Sequence, residues 1–460
     1  MLDWFPYGKA PLVILLTALV SGAVIAALGL RRAAEKPDLV FAIYAKNHEE
    51  AYRAVLPEFE KRHGVKVSLQ LVDSRALQSR LQSALQTGAA VPDLVEILEG
   101  AMGYFTRGPL ADVGLLDLTP RLHAEGLYDR MVETRYSLWS SRGHVFALPH
   151  DVHPVALAYR RDLVEQLGID VAALRTWDDF AAMGRRITKD LDGDGVPDRY
   201  AIDLPVTGDD GLRMLALQRG GGLFDAEGRL VMDSDRMAET IVWYVRQTVG
   251  PDRISTSTGF GQSQVRAMTD GLVLFYLCPD WRTKQFEMDA PHLAGKMALM
   301  PLPGWTTNGC RTSTWGGTGL AITKPCKRPD LAWELAKFLY LDAAELGTRF
   351  RGMNILPPLK DAWSDEAFAE PRPYFSGQAI GRLYAGLALQ APPSHTSPYS
   401  RLAQSKFAET YLAAAARFRA SGDEGLPAFT RAELAKNAAY VRRIMDRNVF
   451  LKADAGQEGN

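Results

Sequence analysis

The segment 39–98 constrains the fold more than any other stretch, because short apolar runs alternate in it with helical patterns. Strands are predicted at 39–44, 65–72 and 93–98, and helices at 48–63 and 75–86. Parallel strands need a crossover connection that is usually a helix, so a β-α-β-α-β order indicates a mostly parallel sheet with covering helices. An α/β unit is therefore expected near the amino terminus.

The same kind of pattern resumes beyond a loop-rich middle. Further strands are predicted at 144–149, 155–159, 200–204, 271–277, 296–300 and 319–323, and further helices at 177–188, 329–340, 405–420 and 432–447. With 460 residues the chain is long enough for two domains, since single cores stop growing at roughly 250–300 residues. We therefore expect two α/β units, at least one of them interrupted by the other.

Residues 10–30 are all apolar or small and carry no charge, which predicts that they enter a membrane. The run meets the length of about 20 residues that a helix needs to cross a bilayer, and it exceeds a signal-peptide core of about 7 to 15 residues. Stretches ending at Ala26 and Gly29 resemble signal-peptidase sites, so cleavage stays open. No cysteine follows the run, which argues against a lipoprotein. The expected location is periplasmic or extracellular, with residues 10–30 as a tether.

Charge and cysteine content exclude several classes of protein. The 53 basic and 54 acidic residues give a formal net charge of -1, so no broad electropositive surface is available for nucleic acid. Three cysteines, Cys278, Cys310 and Cys326, are too few and too scattered for a disulfide framework or a zinc site. Three buried free thiols are expected, with a bridge between Cys310 and Cys326 as the alternative.

Four carboxylates alternate in the segment 190–198 and repel one another unless a cation lies between them. The spacing matches the start of a calcium loop with Gly195 at position 6, but position 12, which needs a bidentate Glu, is Ala201. A structural Ca²⁺ site is one interpretation, and a solvated Asp/Gly turn is the other. No other cofactor is expected. The predicted metal ligands are Asp190, Asp192, Asp194, Val196 and Asp198.

Aromatic residues lie next to polar ones at predicted strand ends and loops, whereas no phosphate loop, HExxH motif or nucleophile elbow occurs. These aromatics are Tyr44, Tyr104, Phe105, Tyr276, Trp281, Trp305, Trp315, Trp363 and Tyr399. Sugars present apolar C–H faces and a rim of hydroxyls, so flat aromatic platforms beside carboxylates suit them. For any single aromatic, core packing is the alternative, and the sugar hypothesis rests on the set.

A series of short stretches, each weakly specific, occurs in a characteristic order. They are 59–67, 91–95, 146–149, 156–163, 176–179, 268–271, 279–281 and 317–322. Together they resemble the extracellular solute-binding proteins of ABC importers, in particular the maltose-binding-like, sugar-binding family. The resemblance covers roughly 38–450. One departure is Cys278, which stands where the family usually has a glycine before its Pro-Trp turn.

This resemblance implies an α/β, two-lobed periplasmic-binding-protein fold with hinge strands, preceded by one amino-terminal transmembrane or signal helix. The ligand would lie between the lobes, which close by hinge bending. The implied divisions are 1–36 as anchor or signal segment with spacer, 37–151 plus 316–360 as first lobe, 152–315 plus 361–452 as second lobe, and 453–460 as a disordered tail.

Candidate ligand-binding residues follow from the resemblance, position by position. They are Tyr44, Glu99, His150, Asp151, Asp280, Trp281, Trp315, Gly316, Gly317 and Tyr399. Trp281 and Trp315 are expected to stack on sugar rings. Asp151, Asp280 and Glu99 are expected to accept hydrogen bonds from sugar hydroxyls. No catalytic residue is assigned.

The function implied is that of an extracytoplasmic receptor that binds a carbohydrate and delivers it to an ABC permease. It would be a monomer without enzymatic activity. A membrane-tethered sensory subunit that binds a solute is one alternative. A second is an extracytoplasmic hydrolase that uses His150, Asp151 and His153, although a polar strand end before Pro154 is the simpler explanation of that cluster.

Overall fold

The computed structural model describes residues 10–33, 36–206 and 210–450. Its strands are β1 (Leu39–Ile43), β2 (Val67–Leu71), β3 (Leu94–Leu98), β4 (Ser140–Ser141), β5 (His144–Val145), β6 (Leu148–Pro149), β7 (Val155–Arg160), β8 (Tyr200–Asp203), β9 (Ser255–Thr256), β10 (Val273–Pro279), β11 (Met297–Pro301) and β12 (Thr318–Ile322). Its α-helices are α1 (Ala10–Ala33), α2 (Lys46–His63), α3 (Ser74–Thr87), α4 (Met102–Phe105), α5 (Thr119–Ala124), α6 (Arg161–Gln166), α7 (Trp177–Ile187), α8 (Asp210–Gln218), α9 (Asp235–Thr248), α10 (Gln262–Asp270), α11 (Asp280–Asp289), α12 (Pro329–Tyr340), α13 (Ala343–Met353), α14 (Ile380–Ala388), α15 (Ser400–Ser421) and α16 (Leu426–Met445).

Two five-stranded sheets form the centres of two lobes. The first has the order β2-β1-β3-β12-β6 and the second the order β11-β7-β10-β8-β9. β1 is parallel to β2 and β3, whereas β12 is antiparallel to β3 and β6. The three strands of the segment 39–98 are therefore parallel, as predicted, while β12 adds antiparallel pairs to the first sheet and β7 adds them to the second. The antiparallel strands of the first sheet lie beside the segments that pass between the lobes, which explains their reversed direction.

Three adjacent segments connect the lobes. The first crossing follows β6, the second precedes β12, and the third lies near Leu356. The Val155 amide donates to the Ser313 carbonyl at 3.0 Å, and the Val152 amide donates to the Leu356 carbonyl at 3.0 Å. Backbone hydrogen bonds therefore hold the crossings together as a hinge, as the two-lobed interpretation requires.

Local sequence signals explain most helix ends. At the start of α7, the Thr176 hydroxyl accepts from the Asp179 amide, and the Asp179 carboxylate accepts from the Thr176 amide, which forms a capping box. Gly64 ends α2 in the left-handed conformation, with φ of 65°, where glycine carries no Cβ penalty. These two boundaries were predicted from the same residues.

Helix α9 has no counterpart in the sequence prediction. Most of its residues are buried, from Met237 to Thr248, because it lies between α8, α15 and α16. Its exposed residues, Glu239 among them, leave a narrow polar face, and Ser234 before Asp235 is a typical helix start. The helix was therefore overlooked although the sequence carries signals for it.

Helix α1 covers the segment for which membrane entry was predicted. Several of its apolar side chains are exposed, Ile14 and Leu19 among them. Within the described residues, no helix is both long enough and apolar enough to cross a membrane. The predicted tail 453–460 lies outside the described residues, and the predicted domain boundaries stay predictions.

The three cysteines are free thiols, so the alternative of a Cys310–Cys326 bridge is wrong. Cys278 and Cys326 are buried as expected, but Cys310 is only half-buried. Burial raises the pKa of the Cys278 thiol to about 12. A thiol with so high a pKa is protonated at neutral pH and chemically inert.

Candidate functional site

A cavity of about 530 Å³ lies between the two lobes. Its volume falls within the range of about 300–1,000 Å³ that is typical of small-molecule sites. Glu99 and Leu138 of the first lobe line one side, and Arg213 and Trp315 of the second lobe line another. Of the predicted ligand-binding residues, only Glu99 and Trp315 are in its described lining.

Glu99 follows the carboxyl end of β3 and faces the second lobe. Its carboxylate lies 3.6 Å from the guanidinium of Arg213 on α8, and the two side chains are 18% and 22% exposed. Arg213 also binds the Asp210 carboxylate at 2.9 Å. A carboxylate accepts and a guanidinium donates hydrogen bonds, so this pair offers both partners that a ligand hydroxyl needs.

The segment 389–399, here called the strap, closes a further side of the cavity. Hydrogen bonds with Ser137 and Leu138 tie it to the first lobe. The Ser394 amide donates to the Ser137 hydroxyl at 3.2 Å, and the Thr396 hydroxyl donates to the Leu138 carbonyl at 3.3 Å. The strap then continues into α15 of the second lobe, so it bridges both lobes along one edge of the cavity.

His395 of the strap lines the cavity and was not singled out from the sequence. Burial lowers the pKa of its imidazole, against the smaller opposite effect of Asp225 and Glu227. A neutral imidazole carries one donor and one acceptor nitrogen. The only signal for it in the sequence was the Pro-rich character of its loop, which identifies a loop but not a ligand contact.

An aromatic cluster lies beside the cavity on the second lobe. The Trp281 indole nitrogen donates to the Trp315 carbonyl at 3.1 Å, and the two ring centroids are 6.1 Å apart at an interplanar angle of 79°. Phe260 stands 6.5 Å from Trp315 and is 55% exposed. Trp315 is thus the platform at the cavity, Trp281 supports it, and Phe260 is an exposed aromatic that the sequence analysis did not select.

The predicted acceptors Asp151 and Asp280 lie in the hinge instead of in the cavity lining. His153 donates from Nδ1 to Asp280 at 2.6 Å, and its Nε2 lies 3.1 Å from Asp151. Asp151 in turn lies 3.2 Å from His150 Nδ1. We call these four residues, His150, Asp151, His153 and Asp280, the hinge chain.

Every member of the hinge chain is buried, with at most 6% of its surface exposed. Burial alone would lower the pKa of His153, but the charges of Asp151 and Asp280 outweigh it and raise that pKa to about 10. Burial and the neighbouring His48 lower the pKa of His150 to about 4. The chain therefore holds one imidazolium between two carboxylates, beside one neutral imidazole.

Protein donors contact both oxygens of each hinge carboxylate. The Thr318 amide donates to Asp151 Oδ2 at 3.0 Å, and the Arg135 guanidinium lies 3.4 Å from Asp151 Oδ1. The Leu356 amide donates to Asp280 Oδ2 at 2.7 Å. These carboxylates were expected to accept hydrogen bonds from sugar hydroxyls, but their oxygens already accept hydrogen bonds from groups within the protein. The same burial and pairing leave His150 and His153 without open access to a substrate.

The other predicted ligand residues support the hinge and the cavity walls. The hydroxyl of Tyr44 lies 2.5 Å from that of Thr318. Gly316 has φ of 92°, and a Cβ at Gly317 would crowd the Arg135 guanidinium. Tyr399 is buried at the start of α15, with the Arg107 guanidinium 5.7 Å from its ring centroid. None of these four predicted residues is in the described lining of the cavity.

The acidic loop 190–198 lies on the surface of the second lobe. Oxygens of Asp190, Asp192 and Asp194 lie within 4.8 Å of one another, which is close enough for one cation. The Asp198 carboxylate accepts the Leu191 amide at 2.7 Å. Backbone amides of Gly195 and Gly193 lower the pKa of Asp190. Three of the predicted ligands therefore converge, while Asp198 binds backbone.

Comparison with known proteins gives a family match. The sequence model described as "Bacterial extracellular solute-binding protein" matches residues 45–345. An arabinooligosaccharide-binding protein of Halalkalibacterium halodurans is 26% identical, over 74% of this chain and 75% of the relative. A lactose-binding protein of Rhizobium radiobacter is 25% identical, over 74% of this chain and 80% of the relative.

Solved structures show the same fold. The sugar-binding protein MalE from Xanthomonas citri superimposes with a TM-score of 0.70 at 19% identity, over 89% of this chain and 99% of that one. A cyclo/maltodextrin-binding protein complexed with maltotetraose gives a TM-score of 0.65 at 18% identity, over 88% and 97% of the two chains.

Proposed function

Because the chain belongs to the family of bacterial extracellular solute-binding proteins, we propose that it is a receptor that binds a carbohydrate in the cavity between its lobes. It would deliver this ligand to an ABC permease. The family is extracellular, so the two lobes act outside the cytoplasm.

One observation carries the proposal: an aromatic platform, a carboxylate and a guanidinium border the same interlobe cavity. Trp315 supplies an apolar face, while Glu99 and Arg213 supply an acceptor and donors. His395 adds a second donor and acceptor from the strap. A sugar presents an apolar ring face and hydroxyls that both donate and accept, so this set of groups matches it. The names of the relatives, which refer to arabinooligosaccharides and lactose, support the same class of ligand.

The proposal includes no catalytic step. His150, Asp151 and His153, the candidates for acid-base chemistry, are buried and bound to one another. A general acid or base must lie within hydrogen-bond reach of the substrate, directly or through one water. We therefore expect saccharides to be released unchanged after incubation with the protein.

Thermal unfolding in the presence of a solute panel tests the class of ligand. The panel contains neutral oligosaccharides, amino acids, polyamines and phosphorylated polyols. A ligand at 100 times its Kd stabilises the folded state by about 2.7 kcal/mol, which gives a clear rise in Tm. A rise with saccharides supports the proposal, and a rise confined to another class overturns it.

Attachment to the membrane belongs to the proposal as well. Residues 10–30 form an uncharged, apolar run, and we assign to it the export of the chain, either as a retained tether or as a segment removed near Ala26 or Gly29. Amino-terminal sequencing of the exported protein distinguishes these two fates.

A further inference from the structure

A second cavity, of about 350 Å³, lies within the second lobe. Among the described residues it shares no lining residue with the interlobe cavity. Helix α9 separates the two. Its first turn, up to Met237, borders the interlobe cavity, and its later turns, from Ala238 to Arg246, border the second cavity. A ligand in the second cavity would thus be separate from one in the cleft.

Indole rings form much of the lining of the second cavity. Trp243 and Trp305 have ring centroids 5.3 Å apart and an interplanar angle of 80°, and Trp177 lies 5.3 Å from Trp243 at 61°. Trp305 is half-buried, whereas Trp177 is fully buried. The two nearly perpendicular indoles, Trp243 and Trp305, offer apolar surfaces to a ring-shaped ligand.

The rim of the cavity consists of ion pairs. The Arg219 guanidinium lies 4.5 Å above the Trp305 ring centroid and binds the Glu239 carboxylate at 2.6 Å. Arg246 and Arg431, which also line the cavity, bind carboxylates that lie outside its lining. Each guanidinium is neutralised by an acid, so the rim offers donors and acceptors without a large net charge. Such a rim favours a neutral polyhydroxylated ligand over an ion.

One buried donor at the cavity lacks a partner. The indole nitrogens of Trp177 and Trp305 donate to Gln218 at 2.9 Å and to the Leu215 carbonyl at 3.1 Å. The buried indole nitrogen of Trp243 has no hydrogen-bond partner within the described part of the chain. This nitrogen is enclosed by protein and has almost no surface open to the cavity, so it is assigned no contact with a ligand.

From these observations we propose that the second cavity is a binding site for a neutral saccharide, independent of the interlobe site. Trp243 and Trp305 contact the apolar face of a sugar ring, while Arg219 and Glu239 bind its hydroxyls. The proposal gives a role to Trp305, a half-buried aromatic that lines this cavity and not the interlobe one.

Isothermal titration calorimetry of the full-length protein tests the second site. The titrants are lactose, maltotetraose and an arabinan oligosaccharide, with inorganic phosphate and spermidine as charged controls. At least one saccharide is expected to bind in two independent events. The change Trp305→Ala should weaken one event about tenfold or more and leave the other unchanged, because truncation of a contact tryptophan typically costs more than 1 kcal/mol.

Two further variants keep the result interpretable. Arg219→Ala removes the guanidinium at the rim and keeps the indole rings of Trp243 and Trp305. It should weaken the same binding event, and it remains informative if the Trp305→Ala variant does not fold. Trp363→Ala is the matched indole deletion. Trp363 packs against the core cluster that contains β1 and α12, and its indole nitrogen donates to the Pro357 carbonyl. It should leave both events in place.

Three results would overturn the inference: a single event that Trp305→Ala and Arg219→Ala leave unchanged, a second event that survives both changes, or a second event produced only by phosphate or spermidine. If no saccharide binds at the interlobe site, the pattern is different. Only the binding event that Trp305→Ala weakens is then observed, and Trp315→Ala weakens no event.

Discussion

The hinge chain shows how residues with the chemistry of a binding site can act in the fold instead. His153 lies between Asp151, in the first crossing, and Asp280, at the start of α11 in the second lobe. A buried charge is tolerated only when it is paired and hydrogen-bonded. The sequence analysis selected Asp151 and Asp280 as acceptors for a ligand, but it could not reveal that their oxygens accept from Thr318 and Leu356, since those contacts depend on the folded hinge.

The hinge histidines predict a maximum of stability near pH 6.5, the ordinary pKa of histidine. The folded state keeps the proton of His153 up to about pH 10, whereas the unfolded state releases it near 6.5, so stability falls as the pH rises through this range. The folded state keeps His150 neutral down to about pH 4, so stability also falls as the pH drops from 6.5.

Urea midpoints at pH 5, 6.5 and 9 measure both limbs. His153→Gln should flatten the alkaline limb, and His150→Gln should flatten the acid limb. A midpoint that stays constant or rises between pH 6.5 and 9 in the unaltered protein contradicts the assignment of a charged His153.

Removal of one hinge charge should be strongly destabilising. Asp280→Asn leaves the buried His153 with one carboxylate fewer and places an amide group near the Leu356 amide. Breaking a buried pair in this way typically costs about 3–5 kcal/mol. Chemical denaturation measures the loss. Asp270→Asn, which removes an exposed partner of Arg266, should change stability by less than about 1 kcal/mol.

At the scale of elements, several strands and helices were predicted from the sequence, whereas helix α9 and the strap were not. Strands β1 and β3 follow from short apolar runs, β2 from alternation, and α7 from its period and capping residues. Helix α9 was missed although Ser234 and Asp235 form a typical start, and the strap has no regular pattern. The strap is fixed by contacts with Ser137 and Leu138, which are more than 200 residues away in the chain.

A close approach at α4 predicts how the strap responds to mutation. A Cβ at Gly103 would clash with the Ser397 carbonyl of the strap, and backbone cannot move aside cheaply. Gly103→Ala should destabilise the protein by about 1–3 kcal/mol through overpacking, and it should weaken ligand binding because the strap lines the cavity. The control is Gly108→Ala, whose added Cβ would meet no described atom within 4 Å.

The acidic loop gives a prediction about metal. If Ca²⁺ binds between Asp190, Asp192 and Asp194, a chelator should lower the Tm, and Asp192→Asn should reproduce that effect. Saccharide binding should persist, because the loop contributes no residue to the described lining of the interlobe cavity. Differential scanning calorimetry with and without chelator measures the change. Loss of saccharide binding in a folded, chelated protein would contradict this separation of loop and site.

For the whole molecule, the sequence predicted the two-lobed architecture because the order of many weak motifs is preserved over most of the chain. It did not predict which side chains reach the cavity. Of the predicted ligand-binding residues, Glu99 and Trp315 line the cavity, and their role in binding stays a prediction; Arg213 and His395 also line it but were not selected. Their positions depend on how the two lobes and the strap are arranged around one space, and no local pattern encodes that arrangement.

The central claim is that a saccharide binds between the lobes on the group formed by Trp315, Glu99 and Arg213. Calorimetric titration of Trp315→Ala and Glu99→Gln with the best saccharide of the panel tests it most directly. Each change is predicted to weaken the interlobe binding event about tenfold or more, which corresponds to about 1.4 kcal/mol, in variants whose circular dichroism shows that they are folded. Unchanged affinity in both variants would contradict the account.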